Sequence, residues 1–524
     1  MRPRAPASPV ILLDLLRLAW PLALAGALSL INLAADRWWI GSAGCTSLAA
    51  LGCAQAVLAL LGTLFLGVAM AVLAGVAASR GAGRPDQAAL RLGQGLLLAL
   101  GLAGACALSA PFLAAPVLAW QGAPPSVAPA AAVYLQLGLV GTLFQGPLLA
   151  IAFALQGAGE ARAALRVQAA APLTALLLDP LLIAGCGLGL TGAALSALLA
   201  NGLALLLAAR TLRRTPALPL RWSALLPRRE LLRQAAGLSA PGALEHLSRS
   251  AAALGLVALV APFGAAVLSG YTAALTVVML LLFPGLALGQ AAASLVGRSL
   301  GAGDPARARQ AAWVAAGLFA GFLGLGGLLC AGLGPGLIGL FDPNPASVRE
   351  GSALLRALAP ALPFLGVAMV LGKALGGAGR PLPALAAAAL AHLAVQLPLA
   401  AFLSGRAGPA GAWTAMALAF GVQGALVALL FLRRFGPPEL PRIPAPAWLP
   451  AAPRVVRVAA AGLACLGIGG CQTVDFTERR RLGDPIMALE ESPAETHFTQ
   501  KTRYSREGSA GGIGGSAGGG CGCY

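Results

Sequence analysis

Twelve apolar runs, each longer than the roughly 18 residues that carry an α-helix through a bilayer, constrain this 524-residue chain more than any other feature. They fall near 15–36, 48–79, 89–118, 130–157, 163–186, 190–210, 235–262, 266–297, 308–336, 350–378, 382–404 and 409–432. Period-two alternation is absent, which argues against a membrane barrel and leaves bundled helices to satisfy the backbone inside lipid. With 58% hydrophobic and 10% charged residues, the chain lies far from soluble domains, where about a quarter of residues are charged. The expected fold class is an all-α polytopic membrane protein.

Charge then orients the spans. A net charge of +18 would suggest nucleic acid in a soluble protein, but here the arginines sit in short loops, so they set topology and no nucleic-acid partner is expected. Arg2, Arg4 and Arg17; Arg80, Arg84 and Arg91; Arg162 and Arg166; Arg210 through Arg233; Arg298, Arg307 and Arg309; Lys373 and Arg380; and Arg433 onward all fall on one side. The opposite loops hold only Arg37, Arg349, Arg356 and Arg406. Both ends of the twelve-helix unit are therefore expected on the cytoplasmic side of a bacterial inner membrane. The N-terminal segment is basic and then apolar, but it leads into a full span without a small-residue cleavage site and is read as a first helix.

The two halves repeat. "SRGAGRP" at 79–85 and "SLGAGDP" at 299–305 lie 220 residues apart, and "LQGAGEA" at 155–161 and "LGGAGRP" at 375–381 share that offset. Six spans per repeat start both halves on the same side, which predicts parallel repeats with a substrate path between them. The glycines suit tight turns that need positive φ; no Lys followed by Ser or Thr opens a helix after them, as a phosphate cradle would require. The expected lobes are 1–215 and 216–435.

Few acids lie inside spans: Asp36 near the end of the first, Asp179 in the fifth and Glu245 in the seventh. A charged group at membrane depth costs on the order of 2.5–3.5 kcal/mol by insertion scales and commonly marks an ion or substrate path. Asp179 precedes Pro180, whose ring displaces the carbonyl of Leu176, so a hinge with a freed acceptor is expected beside the carboxylate. The alternative is a plain ion pair with a neighbouring helix. Asp36, in "NLAADRWWIG", fits an interfacial acid with Trp38 and Trp39 as well as an ion site. Glu245 has Arg249 four residues on, on the same face, so an intrahelical pair competes with cation binding there. His246 is a candidate proton carrier or a simple hydrogen-bonding residue. Cys45, Cys53, Cys106, Cys186 and Cys330 stand alone, without metal-ligand spacing, and no metal or cofactor is expected.

The doubled plan, "NLAADRWWIGSAGCTSLAALG" after the first helix, the "GAG" turns, "LLLDPLLIAGCGLGLTGAALS" and "GLSAPGALEHL" resemble the multidrug and toxic compound extrusion (MATE) transporters over about residues 10–435. The resemblance implies two six-helix bundles around a V-shaped cavity and export, not enzymatic turnover. Organic cations, drugs or other amphipathic compounds would leave in exchange for protons or sodium, the chain working as a monomer. In the prokaryotic branch it most resembles, coupling uses acids at the positions of Asp36 and Asp179. Ala175 stands where that branch commonly has asparagine, and Ala197, beside Ser196, where it has threonine. Sodium needs several oxygen ligands and a proton needs one carboxylate, so the loss favours protons. Two carboxylates in one cavity would also titrate as a unit. Asn32, Gln168, Ser196 and Asn201 are the candidate supporting polar groups. A lipid or lipid-linked precursor flippase of the same superfamily is the second reading, and a non-transporting membrane scaffold the third.

Beyond a basic, Pro-rich linker at 436–457, residues 458–470 form a thirteenth apolar segment too short for an ordinary span and suited to a signal-peptide core. With Cys471 it resembles a lipoprotein signal, and 471–524 resembles small bacterial lipoproteins of unknown function that end in a Gly-rich Cys-Gly-Cys segment. Lipidation at Cys471 and an extracytoplasmic, mostly disordered tail are expected. Cys521 and Cys523 are a possible thiol pair, too few ligands to define a metal site.

Overall fold

The computed structural model describes residues 8–42, 45–121, 125, 127–219 and 222–436. The linker, the thirteenth apolar segment, Cys471, Cys521 and Cys523 lie outside the described residues. The first repeat comprises α1 (Ser8–Ser42), α2 (Cys45–Gly81), α3 (Pro85–Trp120), α4 (Ala128–Ala158), α5 (Ala161–Asp179), a π-helical segment (Pro180–Gly185) and α6 (Gly189–Arg213). The second comprises α7 (Arg229–Val260), α8 (Ala265–Gly301), α9 (Pro305–Gly339), α10 (Pro345–Leu358), α11 (Leu362–Gly377), α12 (Leu382–Ala389), a second π segment (Leu390–Gln396), α13 (Leu397–Ala407) and α14 (Pro409–Phe435).

Among the described residues, eleven helices are long and apolar enough to cross a membrane, and α10 with α11 makes a twelfth span bent by 61°. The sequence reads that pair as one straight span, 350–378. The break falls at Pro360, which has no amide hydrogen to continue the α-helical ladder and whose ring crowds the carbonyl one turn back. The fifth span of each repeat is also not uniform. Both carry a π-helical turn, which a hydropathy window cannot register.

Helix starts follow local chemistry. Pro85 and Pro305 occupy the first positions of α3 and α9, where no intrahelical bond is lost, and Asp304 caps α9 by accepting from the Arg307 amide at 2.9 Å. The preceding turns bend at Gly83 (φ 70°) and Gly303 (φ 75°), in the left-handed region where a side chain is strained.

The first glycine of each "GAG" has a different task. Gly81 of α2 lies against the backbone of Arg298 in α8, and Gly301 of α8 against that of Ala78 in α2; a Cβ at either would overlap a carbonyl oxygen. Likewise Gly157 of α4 abuts Leu73 of α2, and Gly377 of α11 abuts Ala293 of α8. Adding 220 to Gly157 and Leu73 gives Gly377 and Ala293, and the same offset takes Gly81 to Gly301 and Ala78 to Arg298, so the sequence repeat is a repeat of packing. Apolar side chains gain little by meeting one another in lipid, and close backbone approach at small residues is how membrane helices hold together. The first turns of α1 cross the seam: Ile11, Leu15 and Leu18 are buried in the core formed largely by the second repeat, and Asp14 pairs with Arg307 at 2.9 Å.

Gly81→Ala and Gly301→Ala should each destabilise the protein, by about 1–3 kcal/mol as for other overpacked sites, seen as a lower thermal unfolding midpoint in detergent. Gly332→Ala, where the added methyl meets open space, should not lower it. Unchanged midpoints at positions 81 and 301 would mean that these helices part without loss.

Candidate functional site

Two groups of polar side chains stand inside the bundle, one in each repeat. In the first, α1 delivers Asp36 and α5 delivers Asp179 to one place, with the two carboxyl groups within hydrogen-bonding reach of each other. Asp179 is 1% exposed, and its Oδ2 atom receives no hydrogen bond from an amide, hydroxyl or basic group. No basic side chain of the described residues pairs with either acid, so the plain ion-pair reading of Asp179 finds no partner. Two ionised carboxylates at this distance repel; a single shared proton turns the repulsion into a hydrogen bond.

The surroundings are sparse. Asn32 Nδ2 donates to Asp36 Oδ2 at a long 3.4 Å, while its Oδ1 is buried without a partner. Beside the two acids, Tyr134 of α4 and Gln55 of α2 line a cavity of ≈ 350 Å³, together with Gln145, Ala197 and Asn201. Asn201 donates to the Ala197 carbonyl at 2.8 Å. Ser196 is fully buried with its hydroxyl unpartnered. Gln168 does not join this group: eleven residues before Asp179 on one helix, it lies about 16 Å away along the axis at 1.5 Å per residue.

The expected hinge at Pro180 takes a specific form. The α-helical ladder ends at Asp179 and the chain widens into a π turn, with the Cys186 amide donating to the Leu181 carbonyl at 2.8 Å and that of Leu188 to Leu182 at 3.3 Å. Pro180 offers no hydrogen to the Leu176 carbonyl, so the ladder loses a bond at the acid. The helix is thus locally rewound.

In the second repeat, Glu245 and Arg249 form the intrahelical pair expected from their spacing, at 3.2 Å. Lys373, read in the sequence only as a signal of sidedness, stands within α11 one turn before the helix ends and lines a small pocket with Glu245 and His246. The pocket, ≈ 30 Å³, is closed from the other side by Gly67 and Met70 of α2. Behind it, His392 in the second π segment contacts the Gln396 side chain through Nδ1 at 2.7 Å and that of Gln423 through Nε2 at 3.1 Å. A neutral ring donates to only one of them, and the other glutamine then turns its amide nitrogen to the ring. Gln55, Tyr134, Lys373, His392, Gln396 and Gln423 are the site residues that the sequence reading missed. Their only signal is a polar side chain in an apolar stretch.

Residues 21–181 and 241–402 match the MatE family model, and residues 474–524 match a domain of unknown function, DUF4266. The chain is similar to the multidrug resistance protein NorM of Burkholderia vietnamiensis, with 32% identity over 65% of this chain and 76% of the relative. It is also similar to the FAD transporter of Shewanella oneidensis, with 26% identity over 67% of this chain and 79% of the relative. Among solved structures, the Vibrio cholerae MATE transporter VcmN shares the fold, with a TM-score of 0.77 and 21% identity over 82% of this chain and 97% of that one.

If one proton is shared between the two acids, infrared spectra of the purified protein at neutral pH should contain a protonated carboxyl band that both Asp36→Asn and Asp179→Asn remove. A band that survives in both variants would place the proton elsewhere.

Proposed function

Because this chain belongs to the MatE family of multidrug efflux transporters, we propose that it exports amphipathic organic compounds, organic cations among them, across a bacterial inner membrane in exchange for protons carried by Asp36 and Asp179. The observation that carries this reading is the pair of carboxyl groups that α1 and α5 bring together, Asp179 buried and Asp36 half-buried, beside a cavity lined by Gln55 and Tyr134. A proton bound there removes charge from a low-dielectric site, and its release restores that charge. Such a change alters how α1 and α5 pack and acts directly on the residue where α5 gives way to the π turn. A cationic cargo that drew on the same carboxylates would be expelled by the incoming proton, and the competition is reciprocal.

Sodium is the competing ion, supported by the unpartnered Asn32 Oδ1. Ala175 and Ala197 offer no side-chain oxygens to complete its shell, which favours the proton. A flippase for lipids or lipid-linked precursors is the second reading, supported by one observation: Arg249 and Lys373 give the second repeat two basic groups inside the bundle. The similarity to a relative named as an FAD transporter also keeps anionic cargo within range. A scaffold without transport has no comparable support.

In proteoliposomes, a pH gradient in sodium-free buffer should drive movement of fluorescent amphipathic dyes. Asp36→Asn and Asp179→Asn should each reduce it to the level of empty liposomes, because an amide keeps the acid's shape and cannot cycle a proton. Glu245→Gln, paired with Arg249 outside the acid site, should retain pH-driven transport. Transport that requires sodium, or that survives Asp179→Asn, defeats the proton assignment.

A further inference from the structure

The two repeats have opposite polarity. The first holds two acids and no basic partner, whereas α7 and α11 of the second hold Arg249 and Lys373 against a single acid, Glu245. That acid is already bonded to Arg249. Lys373 has no ion pair or hydrogen bond among the described residues, and its side chain borders a pocket that contains no other carboxylate. Arg249 Nε is buried without a partner, and His246 at the pocket can add positive charge but not negative. The partners of His392, Gln396 and Gln423, are neutral. Counted by residue type, this part of the bundle holds two basic side chains against one acid, and the Lys373 pocket faces the seam between the repeats.

We propose that this cluster seats an anionic group, a carboxylate or a phosphate, on the transported amphiphile. The assignment rests on the export reading above and narrows its cargo from any amphipathic compound to one that carries such a group. Lys373, at the pocket, supplies a point charge, and Arg249, one turn beyond Glu245 on α7, engages the glutamate that would otherwise pair with the lysine. The lysine thus has charge-assisted hydrogen bonds to offer a carboxylate or phosphate. In this state the seat is narrow. Gly67 of α2 lies against the Ser239 carbonyl of α7, and the remaining ≈ 30 Å³ has room for water but not for a carboxylate with its carrier. The anion therefore enters when α2 moves off α7, as alternation of the two repeats requires.

The test uses the full-length chain in phosphatidylcholine nanodiscs, without any gradient, and two dyes that differ by one carboxylate: rhodamine B and its ethyl ester. Fluorescence anisotropy should show the acid binding about tenfold more tightly than the ester. Lys373→Gln should bring the acid down to the affinity of the ester and leave the ester unchanged, while Lys373→Arg should keep most of the preference. A lysine that merely neutralised Glu245 would alter both dyes alike. Equal binding of the two dyes by the unaltered protein, no binding of the acid, or a preference that survives Lys373→Gln overturns the proposal. Repeating the measurement in phosphatidylglycerol discs separates two sources of the anion. A preference that persists there points to a soluble cargo; one that disappears, while the ester still binds, points to a lipid headgroup filling the seat. These binding measurements need no gradient, whereas proton exchange is read from pH-driven transport in sodium-free proteoliposomes, so a failure of proton exchange and a failure of this assignment give different results.

Discussion

Backbone-to-backbone approach at four glycines is the constraint on which the rest of the bundle depends. Gly81 against Arg298 and Gly301 against Ala78 clamp α2 to α8, and Gly157 and Gly377 repeat the device within each half. Lipid supplies no hydrophobic force to drive apolar helices together, so their separation is set by how closely the backbones can come. Where those glycines stand, the helices meet at their arginine-bearing ends. The first-repeat cavity lies away from these contacts, lined by larger side chains such as Leu33, Leu58, Phe65 and Tyr134. Packing, rather than any one polar contact, decides where charge can be placed.

The unequal charge of the two halves bears on how coupling works. If a cation were the cargo and shared Asp36 and Asp179 with the proton, exchange would be direct competition at one place. An anionic group at Arg249 and Lys373 cannot compete for those carboxylates. Its coupling to the proton must run through a change of shape, and α2 is the element placed to carry it: Gln55 lines the cavity beside the acids, while Gly67 and Met70 close the second-repeat pocket. One helix thus borders both sites. The reciprocity of linkage still holds, since whichever arrangement of α2 the proton favours, the anion must favour or oppose by the same free energy.

Much of this was legible in the sequence because membrane insertion leaves a coarse record. Twelve apolar runs, the alternation of arginines and two motifs with one offset mark spans, sidedness and repeats. An acid beside a proline stands out where charge is scarce, and Asp36 gained its place only through family resemblance, since Arg37, Trp38 and Trp39 beside it read as a membrane surface. Other features escaped for physical reasons. Hydropathy averages over a window, so one proline at 360 did not divide α10 from α11. A lysine one turn from a helix end looks like a topology signal, and only the neighbouring helix shows that Lys373 faces Glu245 across a pocket. A single polar residue such as His392 acquires meaning from a partner 31 residues away. Gln168 was misplaced for the converse reason: polar and in the right helix, it lies at the wrong height.

The π turns give the last step. Each repeat carries one in its fifth span, and a proline adjoins both: Pro180 opens the first, and Pro398 follows the second, where His392 and Gln396 add a side-chain contact one turn apart. A π turn accommodates one residue more than an α turn, so shifting or removing it rotates every later residue of the span by about 100°, given 3.6 residues per α turn. Asp179 is the last residue before that turn. A change in its charge acts where the helix has already lost a bond and where a small change in winding is amplified along the rest of the span. Moved a turn earlier, the same acid would sit in an intact ladder, where gaining or losing a proton would meet rigid geometry. The adjacency of acid and proline is therefore a mechanical arrangement as well as an electrostatic one, in which the chemical event and the weakest point of the helix coincide.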